Sequence, residues 1–345
     1  MKHPTLEPLN LFLSPKRNKT LLLIILFITP VLVNAQNEKE CKVMFYNVEN
    51  MFDHMNDSLT NDGEFTPEGQ RHWTSYKATQ KINNIARVII AAGGMNPVDL
   101  VGLAEVENRY VLDKLTRYSP LQNLRYAVIH KESPDRRGID VALLYKKTSY
   151  SPLINRYIPV TTSDPEFRTR DILYSKGILN RADTVHIFVN HWPSRYGGVV
   201  ASRPLRCKAA TILKSMTDSI LSSNLNSNII IMGDFNDYPC DESITKCLGA
   251  GKKGRLVNLA LYSDDDGSYK YQGRWGFLDQ FIVSSSLYER KSNGLILLKY
   301  ESVISFPFML EKDDKYTGDK PFRTFSGYRY NGGFSDHLPV MIILK

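Results

Sequence analysis

Short apolar runs recur along the chain, and each ends abruptly in carboxylates, amides or histidines. Lys42–Tyr46 gives way to Asn47-Val48-Glu49-Asn50, Val98–Leu103 to Glu105-Val106-Glu107-Asn108, and Thr184–Val189 to Asn190-His191-Trp192. Asn228–Met232 ends in Gly233-Asp234-Phe235-Asn236-Asp237, and Phe277–Val283 carries Asp279 within it. Ser335-Asp336-His337 opens the last apolar stretch, Leu338–Leu344. Runs of this length bounded by turn formers predict strands buried on one or both faces. Helical periodicity falls between them. Tyr76–Ala92 places Ile82, Ile85, Ala86 and Ile89 on one face and stops at Gly93-Gly94, and Tyr110–Tyr118 predicts a short helix. Ser202–Ser223 predicts a longer amphipathic one through Leu205, Ala209, Ile212, Leu213, Met216 and Ile220. Tyr126–His130, Val141–Tyr145 and Asp171–Tyr174 follow as strands joined by loops, which favours antiparallel pairing. The expected architecture is one α+β domain of two packed, mainly antiparallel sheets with helices outside. Asp53–Thr74, Thr161–Arg170 and Glu311–Asn331 are expected as long loops, the first with an acidic stretch, Asn56–Glu64, that could be an insertion beside the site.

Composition excludes a disordered chain, since 42% of the 345 residues are hydrophobic and only 23% are charged. Lys16, Arg17 and Lys19 precede the apolar run Leu21–Val33, and Val33-Asn34-Ala35 places small residues for a cut before Gln36. Residues 1–35 therefore read as an export signal, with a single mature domain over 36–345 that becomes periplasmic or extracellular. An uncleaved membrane anchor is the alternative, but the run is broken by Pro30 and short for a bilayer span. Part of the net charge of +8 lies in that leader, where Lys2, Lys16, Arg17 and Lys19 stand against Glu7, so an anionic partner is permitted without being demanded. Export implies an oxidising compartment. The four cysteines (Cys41, Cys207, Cys240, Cys247) make a poor zinc signature and allow one disulfide; Cys240 and Cys247 are closest in sequence, with the connectivity open.

Strands that end in several carboxylates need a physical reason, because buried carboxylates cost several kcal/mol each unless paired or coordinated. Convergence of Asn47, Glu49, Glu105, Asp234, Asn236 and Asp336 on a hard divalent cation is one solution. All six offer oxygen and no thiolate is near, so Mg²⁺ suits them, with Mn²⁺ or Ca²⁺ as alternatives. Taken singly each motif is an ordinary turn or a structural histidine. Their order along the chain carries the signal.

In that order the chain resembles the endonuclease/exonuclease/phosphatase superfamily, which includes deoxyribonuclease I-like enzymes, exonuclease III, neutral sphingomyelinases and inositol-polyphosphate 5-phosphatases. The matching elements are Phe45–Asn50, Gly102–Glu107, Arg137–Tyr145, Asn190–Trp192, Gly233–Asn236, Leu278–Ile282 and Ser335–Val340. The resemblance implies a four-layer α/β/β/α sandwich with the site at one end of the sheets. It implies that Glu105 is the main Mg²⁺ ligand with Asn47 and Asp336 near the metal, and that Asp234 and Asn236 face the scissile phosphate. Asp234 would orient or activate water, and His337, held by Asp279, would bind a non-bridging oxygen. His191 would be a second donor or acid near the leaving group, with Glu132 as a loose match for its carboxylate partner. Arg195 in the loop Ser194–Gly198, and Arg203, would supply positive charge for substrate.

These readings point to a secreted Mg²⁺-dependent phosphodiesterase, first a nuclease acting on nucleic acid by in-line attack of water. A phospholipid or inositol-phosphate hydrolase is the rival within the same chemistry. Gln280 and Leu338 stand where inositol 5-phosphatases carry basic residues, which weighs against that branch. A non-catalytic binding protein on the same scaffold is the remaining alternative; it should lack one of Glu105, Asp234, Asn236 or His337, and all are present.

Overall fold

The computed structural model describes Glu40–Lys345 apart from residue 182 and residues 290–293, so the expected leader over residues 1–35 lies outside the described residues. In chain order the first elements are β1 (Cys41–Met51), α1 (Ser75–Gly93), β2 (Leu100–Val106), α2 (Arg109–Arg117), β3 (Ala127–His130) and β4 (Asp140–Tyr145). Next come β5 (Tyr150–Ile158), β6 (Ile172–Leu179), β7 (Asp183–His191), α3 (Val199–Ser223) and β8 (Asn228–Asp234). Then follow β9 (Ala250–Gly251), β10 (Leu256–Asn258), the hairpin β11–β12 (Tyr269–Tyr271, Arg274–Gly276) and β13 (Asp279–Ser284). The last are α4 (Ser285–Tyr288), β14 (Leu297–Val303), the small hairpins β15–β16 (Leu310–Lys312, Asp319–Pro321) and β17–β18 (Phe325–Ser326, Arg329–Tyr330), and β19 (Val340–Leu344).

Two sheets carry the fold, in the orders β14-β19-β1-β2-β4-β3 and β5-β6-β7-β8-β13-β10-β9. Alternation along β1 shows the layering. Val43 and Phe45 join the core between the sheets with Ile187, Ile230, Met232 and Phe281. Met44 and Tyr46 face the other way, onto Ile82, Ile85 and Ile89 of α1 and Leu112 and Leu115 of α2. The outer face of the second sheet does the same, packing Phe188, Ile229 and Ile231 on Ala209 and Leu213 of α3. The result is the helix–sheet–sheet–helix sandwich.

The pairing is antiparallel with exceptions that matter for the site. β1 and β2 are parallel, joined through α1, and β7 and β8 are parallel, joined through α3. A helical crossover returns each chain to start its next strand at the same edge. The carboxyl ends of all four strands therefore lie together, bringing Asn47, Glu105, His191 and Asp234 to one end. Close approach of β7 and β8 needs Gly233, whose Cβ would lie 2.5 Å from the Asn190 carbonyl oxygen.

Helix limits follow local chemistry. α1 is capped by Thr74, which accepts from Lys77 N–H, and stops at Gly94 in the left-handed region (φ 57°). α3 begins three residues before the apolar periodicity, because Ser202 Oγ donates to the Gly198 carbonyl and Arg206 to that of Val199. Two expected loops prove more ordered. Residues 53–74 fold over Phe52, Phe65 and a fully buried Trp73, and 311–331 contains most of the two small hairpins. The disulfide is Cys207–Cys247, tying α3 to the helical turn Ser243–Leu248, while Cys240 is exposed and free. The pair closest in sequence is thus not the bonded one: Cys207 faces Cys247 only once α3 packs on that turn.

Candidate active site

At the joined strand ends lies a cavity of about 540 Å³, lined by the polar residues Glu105, Arg137, His191, Asp234, Asn236, Asp336 and His337 and by the aromatic residues Tyr196, Tyr238, Tyr269 and Tyr271, with Tyr269 packed on His337. Asp234, the last residue of β8, is central. Its Oδ2 accepts from Asn47 Nδ2 at 3.0 Å and lies 3.7 Å from His191 Nε2 and 3.9 Å from His337 Nε2. Its Oδ1 accepts the Asn236 N–H at 2.8 Å. Burial above all, and then Asp279, push this carboxyl up to about 7 against the pull of His337.

Glu105 is held by the Asn50 N–H on Oε2 (2.9 Å), and its Oε1 lies 3.5 Å from Asn47 Nδ2 and 3.8 Å from His191 Nε2. Glu105 and Asn236 both have left-handed backbones (φ 62° and 52°), as do Glu49 and Asn50 (φ 50° and 52°). Such conformations cost non-glycine residues about 1 kcal/mol or more and cluster where side chains must be aimed. Breaks in register after Asn47 and Ala104 accompany them, turning Glu105 out of the strand's alternation.

His337 is bound through Nδ1 to Asp279 Oδ2 at 2.7 Å, and the same oxygen accepts from Ser268 Oγ at 2.6 Å. Burial disfavours an imidazolium there, yet Asp279, Asp234 and Asp336 together hold His337 well above the ordinary imidazole range. His191 is the opposite case. Burial, with Arg170, Arg137 and His337 nearby, keeps it well below that range and therefore neutral. Asp336 donates nothing but accepts from Arg323 at 2.9 Å; Arg323, His337 and Lys81 keep it ionised despite burial.

Most of the sequence-derived residues come together, and three partners sit otherwise than expected. Glu132 is exposed and does not hold His191. Instead Arg170, paired with Asp135 at 2.9 Å, donates to the carbonyls of His191 and Trp192 and fixes that strand end. Arg195 lines the cavity but is spent on the Asn236 carbonyl, Asp237 and Asp241. Arg203 lies outside the cavity lining and pairs with Glu242. Sequence reasoning missed Arg170, Ser268 and Arg323, which come from loops distant in sequence. It also missed Lys81 of α1, buried beside Glu49 and pushed down to about 8 by that burial. Glu49 is not in the cavity lining; it binds Arg323 and the Thr324 N–H.

The profile of the endonuclease/exonuclease/phosphatase family matches residues 42–345. The chain belongs to that family. Solved structures agree on the fold at low identity. A family member from Bacteroides thetaiotaomicron superposes with TM-score 0.56 at 16% identity, covering 89% of this chain and 95% of its own. A humanized D. rerio TDP2 gives 0.55 at 14%, covering 89% and 99%. The mannosyl-6-phosphatase of B. thetaiotaomicron VPI-5482 gives 0.54 at 16%, covering 88% and 99%. No curated protein matches the chain significantly in sequence.

The donors at the cavity floor suit a hard divalent cation. Glu105 and Asp234 both approach one Asn47 amide, which sets two carboxyl groups side by side where a divalent counter-ion would be favourable. The Asn47 amide oxygen is already taken by the Glu49 N–H (3.0 Å), so its Nδ2 faces the carboxylates. Asp234, Asp279 and His337 also bring ligand atoms within 4.8 Å of one another. That trio is a hydrogen-bonded relay rather than a cage, since an imidazolium bound through Nδ1 to Asp279 offers no lone pair to a metal.

Proposed function

We propose that the chain is a divalent-metal-dependent phosphodiesterase, with nucleic acid as the first substrate class and Mg²⁺ as the ion. The observation that carries this reading is the placement of Asp234 between His191 and a His337–Asp279 pair, beside Glu105 in an open cavity. Glu105 would hold the ion, with Asn47 and Asp336 near it through retained water. A bound divalent cation supplies charge neutralisation at phosphate and leaving oxygens.

The chain's own residues supply the rest. Asp234 accepts a proton from water and sets its oxygen in line with phosphorus, and Asn236, anchored by Nδ2 on the Trp192 carbonyl, orients the phosphate beside it. His337, kept cationic by Asp279, donates to a non-bridging oxygen as charge builds there. His191 is held neutral and fixed through its backbone, so it orients by hydrogen bonding rather than delivering a full charge. Tyr196 and Tyr271, both in the cavity lining and exposed, offer planar faces to a base or other ring beside the phosphate.

The leader-like sequence of residues 1–35 and the Cys207–Cys247 bond support an exported protein, because disulfides persist in oxidising compartments. A D. rerio TDP2 neighbour is described with single-strand DNA product, which supports trying nucleic acid first. The test is a panel of plasmid DNA, RNA, single-stranded oligonucleotide, sphingomyelin, phosphoinositides and mannose 6-phosphate, each with and without EDTA. Chelator-sensitive cleavage of nucleic acid supports the proposal. Turnover of only a lipid or a sugar phosphate moves the chain to another branch, and no turnover at all favours a binding role.

A further inference from the structure

We propose that Arg137 is the phosphate-clamping residue of this cavity, gripping the anionic group on the side opposite His337. The inference deepens the phosphoesterase reading and rests on it for the identity of the anion.

Arg137 lines the cavity, and its side chain is 48% exposed. Its guanidinium makes no hydrogen bond among the described residues and has one ionic contact, 3.9 Å from Asp135 Oδ1. That contact is weak for a reason. Asp135 is already engaged by the buried Arg170 at 2.9 Å, and its Oδ1 accepts the Arg137 backbone N–H. The other arginine of the cavity lining, Arg195, has three acceptors of its own within 3.0 Å. Arg137 is thus the cavity arginine with its donors uncommitted.

Its backbone, by contrast, is tightly placed. Asn61 N–H donates to the Arg136 carbonyl at 2.7 Å and Gly138 N–H to that of Asp135 at 3.1 Å. Gly138 has φ +70°, and a Cβ there would meet Thr60 at 2.8 Å. The ordered 53–74 segment therefore presses on the Arg137 turn from outside and keeps the side chain at the cavity. A planar guanidinium with free donors on a fixed backbone suits bidentate binding of phosphate oxygens. Its position in the β4-side loop, away from β19, leaves His337 to contact the same anion from the other side.

Two measurements test this on the full chain in Mg²⁺ buffer: turnover of bis(p-nitrophenyl) phosphate, and calorimetric binding of orthophosphate. Arg137→Gln should weaken phosphate binding and lower kcat/KM by about tenfold or more, with an unchanged melting temperature. Arg137→Lys should recover part of both, and added guanidinium ion should partly rescue Arg137→Gln, which a structural role would not allow. Parent-like phosphate binding and turnover in Arg137→Gln would overturn the clamp while leaving the phosphoesterase reading intact. A parent that binds phosphate through Arg137 yet hydrolyses no phosphoester would sink that reading and keep the clamp.

Discussion

Asp234 is where residue-scale electrostatics make a testable conflict between stability and function. In the folded protein it keeps its proton up to about pH 7, whereas an unfolded chain releases it near pH ~4. The folded state thus holds more proton between roughly pH 4 and 7, so this group's stabilisation is full below ~4 and is lost as pH rises through ~7. Asp234→Asn should remove that loss. At pH 8 in EDTA the variant should melt higher than the parent, by on the order of 1 kcal/mol, while turnover in Mg²⁺ falls about a hundredfold or more. Equal melting at pH 8 would mean that Asp234 is ionised without strain. The dyad makes a second prediction. Asp279→Ala and His337→Ala should each impair the same step, and the double variant should lose little more than the worse single one; additive losses would separate the two residues. Asp234, Glu105 and His337 were legible in sequence because each punctuates an apolar strand. Arg170, Ser268 and Arg323 were not, because nothing local marks a polar loop residue as the partner of a distant carboxylate.

At the scale of elements, strand positions were legible and strand direction was not. Period-two alternation and apolar runs mark β1, β2, β7 and β8, but the parallel pairing of β1 with β2 and β7 with β8 depends on where α1 and α3 pack. That pairing gathers the site. The order within residues 53–74 was also hidden, since Phe65 and Trp73 are sparse among polar residues yet close a small core of their own. The disulfide belongs here too. It closes a 40-residue separation between α3 and the turn after β8, which a chain-entropy account values at about 4 kcal/mol. Reduction, or Cys207→Ser with Cys247→Ser, should lower the melting temperature by several degrees and leave turnover at 25 °C largely intact, because neither cysteine lines the cavity. Loss of activity without loss of stability would place the bond in the site's support instead.

For the whole molecule, a two-sheet sandwich does one thing that neither sheet could do alone. It sets carboxylates from β2 and β8 and imidazoles from β7 and the segment just before β19 around one cavity beside the Asn47 amide of β1, with helices covering the outer faces. The sequence resemblance anticipated this architecture and the family match agrees with it, at only 14–16% identity to the solved relatives. In the proposed function, this cavity hydrolyses a phosphoester with the help of a divalent cation held by Glu105. The most direct measurement is turnover of bis(p-nitrophenyl) phosphate by the parent and by Glu105→Gln across a Mg²⁺ titration from EDTA upward. The expected result is no parent activity in EDTA, saturable activation by Mg²⁺, and a variant that melts like the parent yet needs far more Mg²⁺ or stays inactive. Parent turnover that persists in EDTA, or an identical Mg²⁺ curve for Glu105→Gln, would contradict it.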